Sequence, residues 1–286
     1  MKMILRKEDS AASILLFIYR FNESFKKEAV EGLMLSSILK AMRLFDKNES
    51  AVRMALSRAL KSGLFENCRK GNEVYYFPTG AGKIYLRTYE NEVESFIRRL
   101  QLRNSQWDGM WHVLSLFYPL DILSDKKKAL VKNLQRFGFA KISGDVWISP
   151  YNMSEELLSI QSEFETICTN CMFQGEMTIK NDIKGFTEKL FKTNELMQSY
   201  RDFINHYEVR LEALEETINT GHPIESDFAI PLYYEIGLSF FNFSLNDPLL
   251  PKELLPEWEG DKAASIMMKI IGILVPCVKS YFESIQ

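Results

Sequence analysis

The stretch from Asn48 to Phe77 constrains the fold more than any other part of the chain, because the apolar period changes there from helical to extended. Val52, Leu56, Ala59 and Leu60 fall on one helical face. Asn48 is placed to cap the N-terminus of that helix, and Gly63 to end it in the left-handed conformation glycine tolerates. Two strand candidates follow, Leu64–Asn67 and Glu73–Phe77, the second carrying Val-Tyr-Tyr-Phe. Between them Cys68-Arg69-Lys70-Gly71-Asn72 reads as a basic hairpin tip with a turn glycine. Upstream, Ile14, Leu15, Phe17, Ile18 and Phe21 predict a helix over Ser10–Phe21. A second helix is predicted near Leu33–Leu44, after the polar stretch Asn22–Glu31 and before a short turn at Phe45-Asp46-Lys47. Thr79 then starts another helix, with Gly80 and Gly82 in its first turn. Three helices followed by a basic two-stranded hairpin is the order of a winged helix-turn-helix, which we assign to residues 1–90.

The outer face of the third helix carries the chemistry. It presents Ser50, Arg53, Met54, Ser57 and Lys61, with Arg58 beside them. Arginine can donate two hydrogen bonds to guanine O6 and N7, serine can reach bases or phosphates, and lysine neutralises phosphate. Taken alone, the helix reads equally well as a surface helix with solvated charges. Arg69 and Lys70 on the hairpin turn the balance towards double-stranded DNA, with the wing touching the backbone or the minor groove. Charge distribution agrees. The first 90 residues hold 16 basic and 10 acidic side chains, and the remaining residues hold 19 and 28. A basic module on an acidic body suits a nucleic-acid reader.

The rest of the 286 residues divides in two. His112–Tyr118 reads as a buried strand and Asp125–Phe137 as an amphipathic helix. Gly138–Ile142 and Asp145–Ser149 form a hairpin, Glu155–Gln161 a helix and Glu165–Phe173 a strand. That β-α-β-β-α-β order predicts a ferredoxin-like middle domain over 105–176. Helices are predicted at Ile183–Leu190, Glu195–Thr217, Ile230–Asn242 and Lys262–Glu283, giving an α-helical C-terminal domain over 183–286. The fold class is therefore α+β. Before the last helix, Asp247-Pro-Leu-Leu-Pro251 reads either as a rigid turn with an aspartate cap or as the rim of a pocket or dimer contact.

Several classes find little support. No apolar run reaches about 18 residues, so no membrane span is expected. The basic-then-apolar start is broken by Glu8 and Asp9 and has no cleavage site, so a cytoplasmic protein is expected. Cys168-Thr-Asn-Cys171 has the spacing of half a zinc site, but no second pair completes it, and no metal is expected. There is no P-loop, nucleophile elbow or dinucleotide fingerprint. Asp108 and Asp121 are isolated carboxylates rather than a magnesium cluster, so an enzyme is not expected and no catalytic residue is assigned. Trp107, Trp111 and Trp147 read as packing residues of the middle domain, and Trp258 as the anchor of its loop.

Four segments together resemble the PaaX family of bacterial repressors of aryl-CoA catabolism genes. They are Asn48-Glu-Ser-Ala-Val-Arg-Met-Ala-Leu-Ser-Arg58, Trp107-Asp-Gly-Met-Trp111, Arg136-Phe-Gly-Phe-Ala with Val146-Trp-Ile-Ser-Pro150, and Asp247-Pro-Leu-Leu-Pro251 with Leu254-Leu-Pro-Glu-Trp-Glu-Gly260. The resemblance implies a winged helix, a middle domain shaped like small CRISPR-associated nucleases, and a helical C-terminal domain. It also implies a homodimer that leaves its operator when an acyl-CoA such as phenylacetyl-CoA binds. The shape of the middle domain keeps a metal-dependent nuclease as an alternative, and an effector-free DNA-binding regulator is another. The family pattern places a histidine and several arginines before the Asp-Pro-Leu-Leu-Pro motif. Here Leu238–Asn246 contains no basic residue.

Overall fold

A computed structural model of the chain describes residues 10–24, 32–119, 124–160, 167–178 and 182–285. Its internal contacts group the described residues into two units. One draws on Met1–Asn91, His206–Phe240 and Ser265–Gln286, the other on Glu92–Asn205 and Phe241–Ala264.

In the first unit, helix α1 (Ala11–Ser24) starts where the Ser10 hydroxyl accepts the Ser13 N–H at 3.1 Å. Every residue from Ile14 to Tyr19 is buried, so α1 is an interior helix covered all round rather than on one stripe. Phe17 meets Phe45, Tyr233, Tyr234 and Phe282 through its ring, while Tyr19 packs edge-on to Phe65 and donates to the Tyr76 carbonyl at 2.9 Å.

The second predicted helix needs correction at its start. Leu33–Met34 is a two-residue strand, β1, and helix α2 begins at Leu35 and runs to Arg43. β1 pairs antiparallel with β3 (Glu73–Pro78), Leu33 opposite Tyr76 and Met34 opposite Tyr75. Gly32 permits this approach, because a Cβ there would lie 2.4 Å from the Tyr76 carbonyl oxygen. Satisfying the edge of β3 outweighs the helical spacing of Leu33. Helix α3 (Glu49–Lys61) buries Val52, Ala55, Leu56 and Ala59. Strand β2 (Phe65–Lys70) completes a sheet of order β1-β3-β2. A close contact also fixes the entry to α4 (Gly80–Arg103), where a Cβ on Gly82 would meet the Leu64 carbonyl oxygen at 1.9 Å.

The second unit contains the predicted β-α-β-β-α-β order. β4 (Met110–Phe117), α5 (Ser124–Arg136), β5 (Ala140–Ser143), β6 (Val146–Ser149), α6 (Ser154–Ser159) and β7 (Thr169–Glu176) follow in sequence. The antiparallel sheet has the order β5-β6-β4-β7. This is the ferredoxin-like arrangement, in which the first and third strands are central. Leu114, Leu116, Leu130, Leu134, Trp147 and Met153 form its core. The last strand lies later than Glu165–Phe173, and residues 161–166 fall outside the described ones. β7 is an edge strand with almost every side chain exposed, so its limits follow the ladder to β4 rather than an apolar pattern of its own.

Helices α7 (Ile183–Phe191), α8 (Thr193–Asn219), α9 (Ser226–Ser244) and α10 (Glu259–Ser284) follow. α9 begins four residues before the predicted Ile230 and takes Pro231 within it. α10 is, by length and composition, apolar enough to cross a membrane. Its buried residues Ala263, Met267, Ile270, Leu274, Val278 and Phe282 recur at helical spacing, while Lys262, Lys269 and Lys279 are exposed. That one-sided burial is the pattern of a core helix.

Candidate nucleic-acid interface

Helix α3 is stopped sharply at both ends. The Asn48 side chain accepts the Ala51 N–H at 2.9 Å, which satisfies one of the donors left open at a helix start. At the other end Gly63 has φ +71°. Its N–H reaches the Leu60 carbonyl at 3.0 Å, and the Leu64 N–H reaches Ala59 at 3.2 Å, the paired closure of a Schellman motif.

With Val52, Ala55, Leu56 and Ala59 inward, the opposite face is open. Ser50, Arg53, Met54, Ser57, Arg58 and Lys61 are all exposed, as predicted from spacing, and Leu60 is half-buried. Met54 is 55% exposed, unusual for a large apolar side chain on a soluble surface. Arg53 is engaged by a residue the sequence reading passed over. Its Nε and Nη2 donate to Glu49 Oε1 at 2.8 and 2.6 Å. The i,i+4 spacing of Glu and Arg on one helix was the signal that could have found the pair.

The hairpin differs from expectation in one respect. Arg69 and Lys70 belong to strand β2, and the tip is only Gly71-Asn72, with Gly71 at φ +64°. Lys70 stands opposite Glu73 and Arg69 opposite Val74. Adjacent strand residues point to opposite faces, so the two cations do not form one cluster. Lys70 lies 5.3 Å over the Tyr75 ring, and Arg69 Nε donates to the Gly71 carbonyl at 3.1 Å. Both side chains are exposed.

In the second unit the Asp-Pro-Leu-Leu-Pro segment proves to be a buried polar clamp, the turn reading with Asp247 as its cap. Asp247 is fully buried and accepts from Tyr200 Oη at 2.6 Å, Trp258 Nε1 at 2.8 Å and the Leu249 N–H at 2.8 Å. Leu249 adopts φ +50°, held by that contact and by Tyr151 Oη on its carbonyl. Two arginines of α4 close the cluster. Arg99 donates to Ser95 and to the carbonyls of Leu245 and Asp247, and Arg103 to Asp261 and the carbonyls of Leu250 and Leu255. Burial lowers the Arg99 guanidinium to about 10, and it stays charged at neutral pH. Burial also raises the Asp247 carboxyl above the ordinary range, offset in part by its three donors and by Arg99.

The first unit holds a groove of about 560 Å³ between α8 and α9. Ala213, Leu214, Phe228, Pro231 and Leu232 supply its apolar lining. Its charged lining is Glu225, Asp227 and Glu235 with Arg210, and Arg210 is paired with Glu235 at 2.8 Å. Among the described residues no group of three or more His, Cys, Asp or Glu is close enough to hold a metal ion. Cys168 is buried and Cys171 exposed.

Comparison with known proteins gives these features their context. The family model for the PaaX protein central Cas2-like domain matches residues 104–184, and that for the PaaX-like protein C-terminal domain matches 191–284. The transcriptional repressor PaaX of Escherichia coli (strain K12) is 25% identical over 256 residues, spanning 87% of this chain and 76% of that protein. The solved structure of an uncharacterized protein from Mycobacterium tuberculosis shares the fold, with a TM-score of 0.58 at 16% identity over 96% of this chain and 99% of that one. The protein is thus an α+β transcriptional regulator and not an enzyme. The chain belongs to the PaaX family.

Proposed function

We propose that this chain is a repressor that reads double-stranded DNA through α3, with the β2–β3 hairpin as the wing of a winged helix-turn-helix. The observation that carries this reading is the face of α3. Ser50, Arg53, Met54, Ser57, Arg58 and Lys61 stand exposed on a helix whose other face is buried and whose ends are both capped. A helix presented in this way can enter a major groove with its N-terminal residues towards base edges. Arg69 and Lys70 then serve the flanking backbone or minor groove. The protein works in the cytoplasm as a homodimer, so that two α3 helices meet two half-sites about 10 base pairs apart.

In the first version of this reading an aryl-CoA thioester is the effector that releases the DNA. An aryl-CoA thioester brings several phosphate charges, which proteins meet with cations or helix N-termini. Two observations favour a second version, in which the effector is not a polyanion or none exists. Arg99 and Arg103 are buried and turned onto backbone carbonyls and Asp261. The groove between α8 and α9 is lined by three carboxylates, and its one arginine is already paired.

The test is a salt-titrated binding assay on DNA from upstream of the protein's own gene, with and without phenylacetyl-CoA. Binding that weakens steeply with salt is expected. Relief by the thioester selects the first version and indifference to it selects the second. Absence of binding at low salt to that DNA and to a randomised duplex pool overturns the DNA-reading function.

A further inference from the structure

We infer that Glu49 is a specificity-positioning residue: it holds Arg53 by one edge so that the other edge is presented to a guanine, and it penalises DNA that offers no such partner. This rests on the proposed DNA-reading function of α3. A guanidinium has two edges that can each make a pair of parallel hydrogen bonds. Glu49 takes the side edge, since Nε and Nη2 both reach its Oε1, at 2.8 and 2.6 Å. The end edge, with Nη1 and the second proton of Nη2, is left for a bidentate partner such as guanine O6 and N7.

The carboxylate is well placed to stay where it is. Glu49 is the first residue of α3, directly after the Asn48 cap, where the partial positive charge of the helix terminus favours an anion. Both side chains are about half exposed, at 55% and 56%, so the pair adds little to stability and its geometry is open to a ligand. Its effect lies elsewhere. A negative charge at the groove-facing end of the helix repels the phosphate backbone whatever the sequence. Only a duplex that engages Arg53 offsets that repulsion, so the same carboxylate lowers general affinity and raises discrimination.

This gives a test whose two readouts move in opposite directions. Operator duplexes are selected from a randomised pool with the wild-type chain, and each position is varied in turn. Glu49→Ala is expected to raise affinity for random duplex by a factor of about 2 to 5, while the preference for guanine at the Arg53 position falls about tenfold. Arg53→Ala should abolish that preference, and adding Glu49→Ala to it should change the preference no further. Two outcomes overturn the inference: an unchanged preference in Glu49→Ala, or a parallel fall in specific and random affinity, which would mark a merely structural role. If Arg53→Ala keeps the wild-type preference, the assignment of Arg53 as a base reader fails, and the role of Glu49 with it. Thermal melts of each variant check that the fold is intact.

Discussion

At the scale of single residues, the buried polar groups of the second unit separate what looks functional from what holds the fold. Asp247, Arg99 and Arg103 are the charged residues that a search for an effector site would choose first, and all three are consumed by one another's surroundings. Removing the carboxylate strands the Tyr200 hydroxyl, the Trp258 indole N–H and the Arg99 charge together. Asp247→Ala should therefore cost about 3–5 kcal/mol, read as a lowered urea midpoint. Trp258→Phe removes one donor and keeps most of the ring, so about 1–2 kcal/mol is expected in the same measurement. The motif containing Asp247 was visible in the sequence, but its partners were not. Arg99 lies nearly 150 positions away, and nothing in local spacing links it to Leu245 or Asp247. On the outer face of α3 the reverse holds. Arg53 and Lys61 were legible because an amphipathic helix assigns exposure by period alone.

At the scale of elements, stability and recognition can be tested separately on α3 and its hairpin. The Asn48 side chain caps α3 by accepting the Ala51 N–H, so Asn48→Ala should lower stability by about 1 kcal/mol. Chemical denaturation checks this, and base preference should persist in the variant. Lys70 sits at the end of β2 with its ammonium near Tyr75 and open to solvent. Lys70→Ala should weaken all duplexes alike and reduce the slope of log K against log salt by about 1. A change confined to one sequence would contradict a backbone role for the hairpin. Elements at sheet edges were the ones sequence placed least well. Leu33 has helical spacing but pairs with Tyr76, and β7 carries no apolar alternation that could announce its limits.

At the scale of the molecule, the long-range grouping of the chain does not follow its order. The helical segment after residue 182 contributes to both contact units, His206–Phe240 and Ser265–Gln286 to the first, Phe241–Ala264 to the second. In the first, the aromatic rings of Tyr233, Tyr234 and Phe282 surround Phe17. Mutations in α9 and α10 are therefore expected to be felt by α1. Phe282→Ala should destabilise by about 3–5 kcal/mol, and hydrogen exchange should rise in α1 as well as in α10. On the proposed dimeric reading, inserting 5 base pairs between half-sites turns one by half a helical turn and should lower affinity at least tenfold. A monomeric reader would ignore the insertion.

The amino-acid sequence by itself determined the type and order of most elements, the outward face of α3, the hairpin and the β-α-β-β-α-β order, because each is written in a short-range period or a turn residue. Only the tertiary structure decided that Leu33 extends a sheet, that Arg69 and Lys70 diverge, that Glu49 holds Arg53, and that Asp247 is buried among Tyr200, Trp258 and Arg99. Those outcomes depend on which unsatisfied backbone edge or buried polar atom finds a partner, and the partner is chosen by the packing of distant segments rather than by neighbours in the chain.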